Sequence, residues 1–171
     1  MNSKKRLNVT MLAGLLFLSL ACVAQVQATS GHASGGGTYF VKPGILSEFQ
    51  LSERHVQCKI GHGVLPDGTV LQMWMFSTSI DSVSVDSAAG TVDITGTMIS
   101  IVTLHFTDGT SARLRETVPF LAHAEDNGGA GEDFFSLTVD YTDTPDLDQF
   151  DLFGSPATFS GILETGDVTV R

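Results

Sequence analysis

The sequence predicts an all-β protein whose antiparallel strands form a β-sandwich or jelly roll of about ten short strands. β-Branched and phenylalanine residues alternate with polar residues along many short segments, which is the period of a half-buried strand. Turn-forming residues recur about every eight to twelve positions. The 171 residues include 18 glycines and few lysines, and only residues 44–53 have a pattern that could form a short helix.

A targeting segment precedes the predicted domain. The basic residues 4–6 are followed by the apolar run Met11–Ala24, and small residues lead to a cleavage position after Ala28. This order is typical of a secretory signal peptide, and the apolar run is short for a bilayer span. We therefore expect residues 1–28 to be removed on export and the protein to be secreted, to the periplasm or the cell exterior.

Two alternatives for this segment stay open. An uncleaved run would anchor the chain in the membrane by its N-terminus. Cys22, which follows Ser19-Leu20-Ala21, could instead be lipidated and tether the protein to a membrane surface. No later stretch is apolar enough to span a bilayer, so no transmembrane span is expected in the mature chain.

The mature chain is predicted to form one domain after a short leader. Cleavage after Ala28 would leave 143 of the 171 residues, which suits a single domain. Residues 29–38 are small and polar, which predicts a flexible glycine- and serine-rich leader. Residues 39–171 are then predicted to form the β-sandwich.

Turn signals divide this domain into candidate strands. Asp108-Gly109 is the strongest hairpin signal, because glycine adopts positive φ without steric cost. Gly96 predicts a bulge or bend, and Pro119 predicts an edge strand or a bulge. The candidate strands are residues 39–42, 45–51, 54–60, 70–77, 80–85, 91–95, 98–106, 111–124, 134–141, 157–163 and 167–170. The side chains expected in the core are Phe49, Leu51, Met73, Met75, Val83, Val85, Ile94, Val102, Leu104, Phe106, Leu114, Phe135, Leu137, Val139, Phe159 and Ile162.

The mature chain is strongly acidic. Of the 9 lysine and arginine residues, three lie at positions 4–6, so six remain against 19 acidic residues. This charge disfavours nucleic acid and anionic membrane surfaces, because both are polyanions. It favours solubility, a bound cation or a basic partner. We therefore expect an extracellular protein or surface component as the partner, and no nucleic acid.

Cysteine usage predicts a domain without an internal disulfide. Cys58 is the only cysteine left after signal-peptide removal. It lies in the alternating segment 54–60, which predicts a buried, inert thiol. An intermolecular disulfide is the alternative. The apolar core must then hold the domain together, with a bound ion as a second possible contribution.

The densest polar segment is the glycine-rich loop Glu125–Asp133, which runs into an alternating strand. Ca²⁺ takes about six to eight oxygen ligands from carboxylates, carbonyls and water. The loop offers such oxygens, although its spacing is not that of an EF-hand. Its candidate Ca²⁺ ligands are Asp126, Asn127, Glu132 and Asp133. The alternative is a tight turn at Asn127-Gly128 with its acidic side chains in solvent.

No recognisable catalytic constellation is present. The chain lacks a Gly-x-Ser-x-Gly elbow, a His-Glu-x-x-His motif and a phosphate loop, so we expect a protein that is not an enzyme. Acidic residues abound, however, and a pair drawn from residues 125–151 could serve a small hydrolase. Aromatic side chains for sugar stacking are few: Trp74, Tyr39 and Tyr141. Trp74 is predicted to pack in the core.

Several motifs, taken in order, resemble the post-COAP family of secreted bacterial and archaeal β domains, and the resemblance covers most of the mature chain. The motifs are Gly61-His62, Ile94-Thr95-Gly96, Glu125-Asp126-Asn127-Gly128, Gly131, Asp133, Phe135 and residues 161–168. The chain departs from the family at Gly63, where leucine is frequent, at Gly129-Ala130, where proline is usual, and at Gly166-Asp167, where Gly-Asn is frequent. The resemblance implies a secreted β domain of unknown function, and it carries over no established catalytic residues.

Three functions are consistent with the sequence. The first is a secreted, non-catalytic β-sandwich module with a structural, adhesive or partner-binding role, steadied by Ca²⁺ at the Glu125–Asp133 loop. The second is a small secreted hydrolase that uses a carboxylate pair from residues 125–151. The third is a carbohydrate-binding module, which requires Trp74 or Tyr141 to be exposed on a flat face.

Overall fold

The computed structural model describes residues 31–129, 131–144 and 155–171. The described part contains eight strands, which pair antiparallel in sequence order, and the last strand pairs with the first to close a barrel. The strands are β1 (Ala33–Lys42), β2 (Ile45–Ser52), β3 (His55–Val64), β4 (Val70–Asp86), β5 (Thr91–His105), β6 (Ser111–Glu125), β7 (Phe134–Val139) and β8 (Ala157–Val170). The described residues include no helix that is long and apolar enough to cross a membrane.

The all-β, antiparallel prediction is confirmed, but the prediction of a sandwich or jelly roll of about ten strands is wrong. Three pairs of predicted strands are each one long strand. β4 joins residues 70–77 to 80–85, β5 joins 91–95 to 98–106, and β8 joins 157–163 to 167–170. The structure has one sheet closed on itself instead of two stacked sheets. A sheet of long strands can curve until its first and last strands pair.

Gly96 explains why β5 bends instead of ending. A side chain there would overlap the carbonyl oxygen of Ser79 on β4, and it would lie 3.0 Å from the Phe120 ring on β6. The pairing of β4 with β5 shifts register on either side of Ser79 and Ile80. Glycine at this point lets β5 approach both the β4 backbone and the Phe120 ring closely where the register shifts, as is common at barrel corners.

The barrel closes through the segment for which the sequence predicted a flexible leader. β1 begins at Ala33, so the predicted start of the domain at Tyr39 is corrected by six residues. Residues 33–38 pair with β8 along the register Ala33↔Val170 to Thr38↔Thr165. A side chain on Gly37 would overlap the carbonyl oxygen of Thr165, and one on Gly166 would overlap that of Gly36. We call the paired backbones of β1 and β8 the seam. The glycines there allow the two backbones to lie close together, and they do not form a flexible segment.

The interior of the barrel is filled by apolar side chains. Phe49 and Phe135 stack at a ring-centroid distance of 4.1 Å, and Tyr39 meets the Phe135 ring edge-on at 5.7 Å. Most of the predicted core is buried or partly buried. Ile162 is the exception, because it is 59% exposed while Leu163 is buried. Side chains alternate across a strand, so Leu163 shares the inner face with Phe159 and Ile162 faces outward.

The predicted turns are confirmed, and aspartates stabilise them. Gly109 and Gly68 both have φ of 85°. Asp108 accepts hydrogen bonds from the hydroxyl and the amide of Thr110, and these bonds lower the pKa of Asp108. Asp67 accepts the same two bonds from Thr69 in the β3–β4 turn. Such side-chain-to-backbone bonds fix the turn that sets each hairpin's register.

The seam predicts a strong effect of substituting Gly37. Gly37→Ala is expected to lower the free energy of unfolding by about 2 kcal/mol or more, because the new methyl group cannot be accommodated without moving β1 away from β8. Urea denaturation measures the change. Gly129→Ala is the control, since among the described residues a Cβ there meets only the Glu132 side chain, at 3.6 Å. Equal effects of the two substitutions would contradict the account of the seam.

Candidate functional site

The acidic loop lies between β6 and β7, at the end of the barrel that also holds the β4–β5 turn. The amide of Asp126 donates to the carbonyl of Gly90 in that turn, at 2.8 Å. The Asp126 carboxylate accepts from the amide of Gly128, at 3.2 Å, and from the amide of Val170 on β8, at 3.1 Å. One side chain thus ties its own loop to the last strand.

Asp133, at the C-terminal end of the loop, also connects the loop to β8. Its side chain is fully buried. One carboxylate oxygen accepts from the amide of Asn127, at 2.9 Å, and the other accepts from the amide of Val168 on β8, at 2.8 Å. Its backbone carbonyl accepts from the amide of Leu163. A buried carboxylate that satisfies two backbone amides is a structural anchor.

The four predicted Ca²⁺ ligands lie on one loop, but their polar groups either form hydrogen bonds within the protein or face solvent. The side-chain amide of Asn127 donates to the carbonyl of Glu132, at 2.9 Å, and the Glu132 side chain is exposed. The carboxylates of Asp126 and Asp133 are engaged by amides. Among the described residues, no group of three or more His, Cys, Asp or Glu side chains is placed to hold a metal ion. Ca²⁺ binding here stays a prediction, and an ion would have to compete with these hydrogen bonds.

Next to the loop, His123 on β6 is held between two carboxylates. Its Nδ1 lies 2.8 Å from Asp93 Oδ1 on β5, and its Nε2 lies 3.1 Å from Glu125 Oε1. Partial burial alone would lower the pKa of His123, but the hydrogen bonds and charges of the two carboxylates together outweigh it and raise the pKa. His123 and then Asn127 hold the pKa of Glu125 below its ordinary value.

Two carboxylates of the region proposed for hydrolysis, Glu125 and Asp140, lie in the described part of the chain and have a pKa below the ordinary value. Every aspartate or glutamate there whose pKa departs from its ordinary value has it lowered: Glu53, Asp67, Asp108, Glu125 and Asp140. A glycosidase-type acid needs a raised pKa. Asp146, Asp148 and Asp151 of the predicted 125–151 region lie outside the described residues.

Polar side chains inside the barrel are satisfied by one another. Ser47 Oγ and Tyr39 Oη lie 3.2 Å and 3.6 Å from Cys58 Sγ, and burial raises the pKa of the Cys58 thiol. Tyr141 Oη lies 2.9 Å from Ser100 Oγ, and burial raises the pKa of Tyr141 to about 12. The prediction of a buried Cys58 is confirmed, and burial excludes Tyr141 as an exposed sugar platform.

The outer wall of the barrel carries a groove of about 700 Å³ across β2 to β6, with Trp74 among its lining residues. The prediction that Trp74 packs in the core is wrong, since its side chain is 47% exposed. Met73 and Met75 face the interior, so the residue between them must face outward. The alternating positions of Leu71, Met73 and Met75 indicate that Trp74 faces outward. The continuous apolar run Met-Trp-Met-Phe hides this alternation, because every residue in it is a plausible core residue.

Strand register arranges the side chains of the groove and its border in two rows, and Arg115 is the one member that does not line the groove. In the first row, Trp74 is flanked by Lys59 on β3 and by Ile101 on β5, and Ile101 is followed by Arg115 on β6. Paired residues face the same side of a sheet. Ile101 is only 9% exposed although it lies on the outer face. The row therefore has an apolar centre with a cationic side chain at each side.

The second row is polar throughout. Gln72 on β4 pairs with Thr103 on β5, which pairs with Arg113 on β6. Gln72 Nε2 lies 2.8 Å from His62 Nε2 on β3. These side chains offer both hydrogen-bond donors and acceptors in the row next to that of Trp74. An exposed indole beside such groups can bind a ligand that has one apolar face and a polar rim.

Comparisons of the chain with models of protein families, with curated proteins and with solved structures found no match.

The Asp133 anchor predicts a large stability effect. Asp133→Ala leaves the amides of Asn127 and Val168 without their acceptor, so the free energy of unfolding is expected to fall by about 3 kcal/mol. Urea denaturation at neutral pH measures this change. Asp143→Ala removes an exposed carboxylate and serves as the control. A loss at position 133 no greater than at position 143 would rule out the anchor.

The His123 arrangement predicts a pH-dependent contribution to stability. The pKa of His123 is raised on folding, so its contribution is complete below the unfolded pKa of about 6.5 and is lost as pH rises through the folded value. The stability difference between the native protein and His123→Gln is expected to be less than about 1 kcal/mol, because the pair is partly exposed. Urea denaturation between pH 5.5 and 8.5 should show this difference shrinking towards high pH. A difference that grows with pH would contradict the assignment.

Proposed function

We propose that the protein is an exported, non-catalytic binding module that holds a carbohydrate component of the cell exterior in the groove around Trp74. The observation that carries the proposal is the half-exposed indole of Trp74, set in a groove with polar side chains along one edge. The first residues of the chain have the composition of a signal peptide, which supports export. No ion is needed in this proposal.

The shape and chemistry of the groove favour a carbohydrate. A pyranose ring has one face of C–H groups, which are weakly positive and pack against the negative π-face of an indole. Its hydroxyl groups need several donors and acceptors, and Gln57, Gln72 and Thr103 supply these around the ring. The rings of Trp74 and Phe76 lie 5.1 Å apart at their centroids, so Phe76 supports one side of the indole.

Two features support a binding role over hydrolysis. Glu48 is the only carboxylate among the described residues that line the groove. A hydrolase of the usual kind needs two carboxylates at a set separation across the bond that it cleaves. The acidic residues of the described part of the Glu125–Asp133 loop lie at the end of the barrel, where Asp126 and Asp133 accept hydrogen bonds from backbone amides.

Substitution of Trp74 tests the proposal. The native protein, applied to an array of oligosaccharides, is expected to bind a defined subset, and Trp74→Ala is expected to lose that binding by at least about tenfold. The thermal midpoint should change little, because Trp74 lies on the outer wall. Affinity electrophoresis measures the binding constant from how strongly a gel that contains the glycan slows the migration of the protein.

Phe40→Ala is the matched control for this test. Phe40 is an outward aromatic side chain on β1 that is 46% exposed and is not among the residues that line the groove. Its loss should leave glycan binding unchanged. Binding that survives Trp74→Ala, or that falls equally in Phe40→Ala, would refute the assignment of the groove as the binding site.

A further inference from the structure

We infer that the ligand of this groove is an acidic polysaccharide, one whose sugar rings carry carboxylate groups. This inference rests on the proposed function and narrows it to one class of glycan. Three observations support it: where the few basic residues lie, how they are placed relative to Trp74, and that none of them forms an ion pair within the described residues.

Basic side chains are concentrated in and beside the groove: Lys59 and Arg113 line it, and Arg115 lies next to it on β6, paired in register with Ile101. The described residues contain six lysines and arginines, and three of them, Lys59, Arg113 and Arg115, belong to the two rows around Trp74. All three are exposed. The chain as a whole has 19 acidic residues against 9 basic ones, so this is a local reversal of the protein's charge. A cationic patch on an acidic protein attracts an anionic ligand to that patch in preference to the rest of the surface.

These cations are not used in ion pairs within the described residues. Every ion pair found there has a histidine as its basic member, namely His32 with Glu53 and His123 with Asp93 and Glu125. Among the described residues, Glu48 on β2 is the one acidic residue that lines the groove; it pairs in register with Lys59, but no ion pair joins the two. The arginines therefore keep their donors available to a ligand on the far side of Trp74 from Glu48.

The spacing suits an extended chain of sugars. Arg113 and Arg115 are two residues apart on one strand and so project from the same face about 7 Å apart. Neighbouring strands lie about 4.8 Å apart. Arg115 is two strands from Trp74 on one side, and Lys59 is one strand from Trp74 on the other side. Cationic side chains can thus contact carboxylates of the ligand on both sides of a sugar that is stacked on the indole. The groove volume of about 700 Å³ is in the range of ligand-binding clefts.

The residue types favour carboxylates on sugars. The planar guanidinium of arginine presents two parallel N–H donors that match the two oxygens of a carboxylate. A neutral glycan would use the indole and the amide side chains but would gain nothing from three cations. An acidic peptide would use the cations but would gain little from an indole that shares its groove with hydroxyl-binding side chains.

A set of anionic polymers, with one matched pair that differs only in charge, tests the inference. The probes are oligomers of galacturonic acid and of mannuronic acid, the methyl-esterified galacturonate oligomer, dextran sulfate and polyglutamate. Isothermal titration calorimetry of the full mature chain is expected to give at least about tenfold tighter binding to one of the uronic acid oligomers than to the other three probes. That binding should weaken as salt is raised.

Substitutions assign the binding to these residues. Arg113→Gln with Arg115→Gln is expected to weaken binding of the uronic acid oligomer about tenfold while leaving any weak binding of the methyl ester unchanged. Arg54→Gln is the control, because Arg54 is exposed in the β2–β3 turn and belongs to neither of the two rows around Trp74. Thermal melting of each variant confirms that it folds.

Each other outcome overturns the inference. Equal binding of the methyl ester would show that charge is not recognised. Tighter binding of dextran sulfate or polyglutamate would assign the cations to another anion. Equal loss in Arg54→Gln would show that the attraction is not local. If neutral glycans bind and Trp74→Ala abolishes their binding, the proposed function stands and only this inference fails. If no glycan binds, both fail.

Discussion

Backbone contact between β1 and β8 is the constraint on which the rest of the structure depends. An eight-stranded sheet becomes a barrel only if its first and last strands pair, and here they approach so closely that Gly37 and Gly166 cannot carry side chains. Closure removes the sheet edges and encloses the stacked rings of Phe49 and Phe135. Without this seam, the same strands would leave the aromatic core open to water.

The seam also positions the polar features at the end of the barrel. Val168 and Val170 of β8 pair with β1, and their amides donate to Asp133 and Asp126 of the acidic loop. The loop that looked like an ion site is thus attached to the strand that closes the barrel. The groove lies elsewhere on the wall, across β2 to β6, where antiparallel register places cations beside an indole on a rigid surface.

Local sequence patterns predicted the local structure well and the long-range structure poorly. The all-β class, the Asp108-Gly109 turn and burial of Cys58 follow from residue types and alternation, and all are confirmed. The sandwich, the flexible leader and the buried Trp74 are wrong. Glycine-rich sequence indicates flexibility unless another backbone lies against it, and that contact joins residues over 120 positions apart. The groove depends in the same way on the pairing of several strands, which composition does not encode.

Hydrogen exchange of the β1 amides tests the closed barrel most directly. β1 has a partner on both sides, so its amides are bonded either to β2 or to β8. The amides of residues 35–38 are expected to exchange as slowly as those in the middle of β5, because both open only when the barrel opens. Exchange of residues 35–38 at the rate of an unstructured chain, with β5 still protected, would contradict the closed barrel and restore the flexible leader.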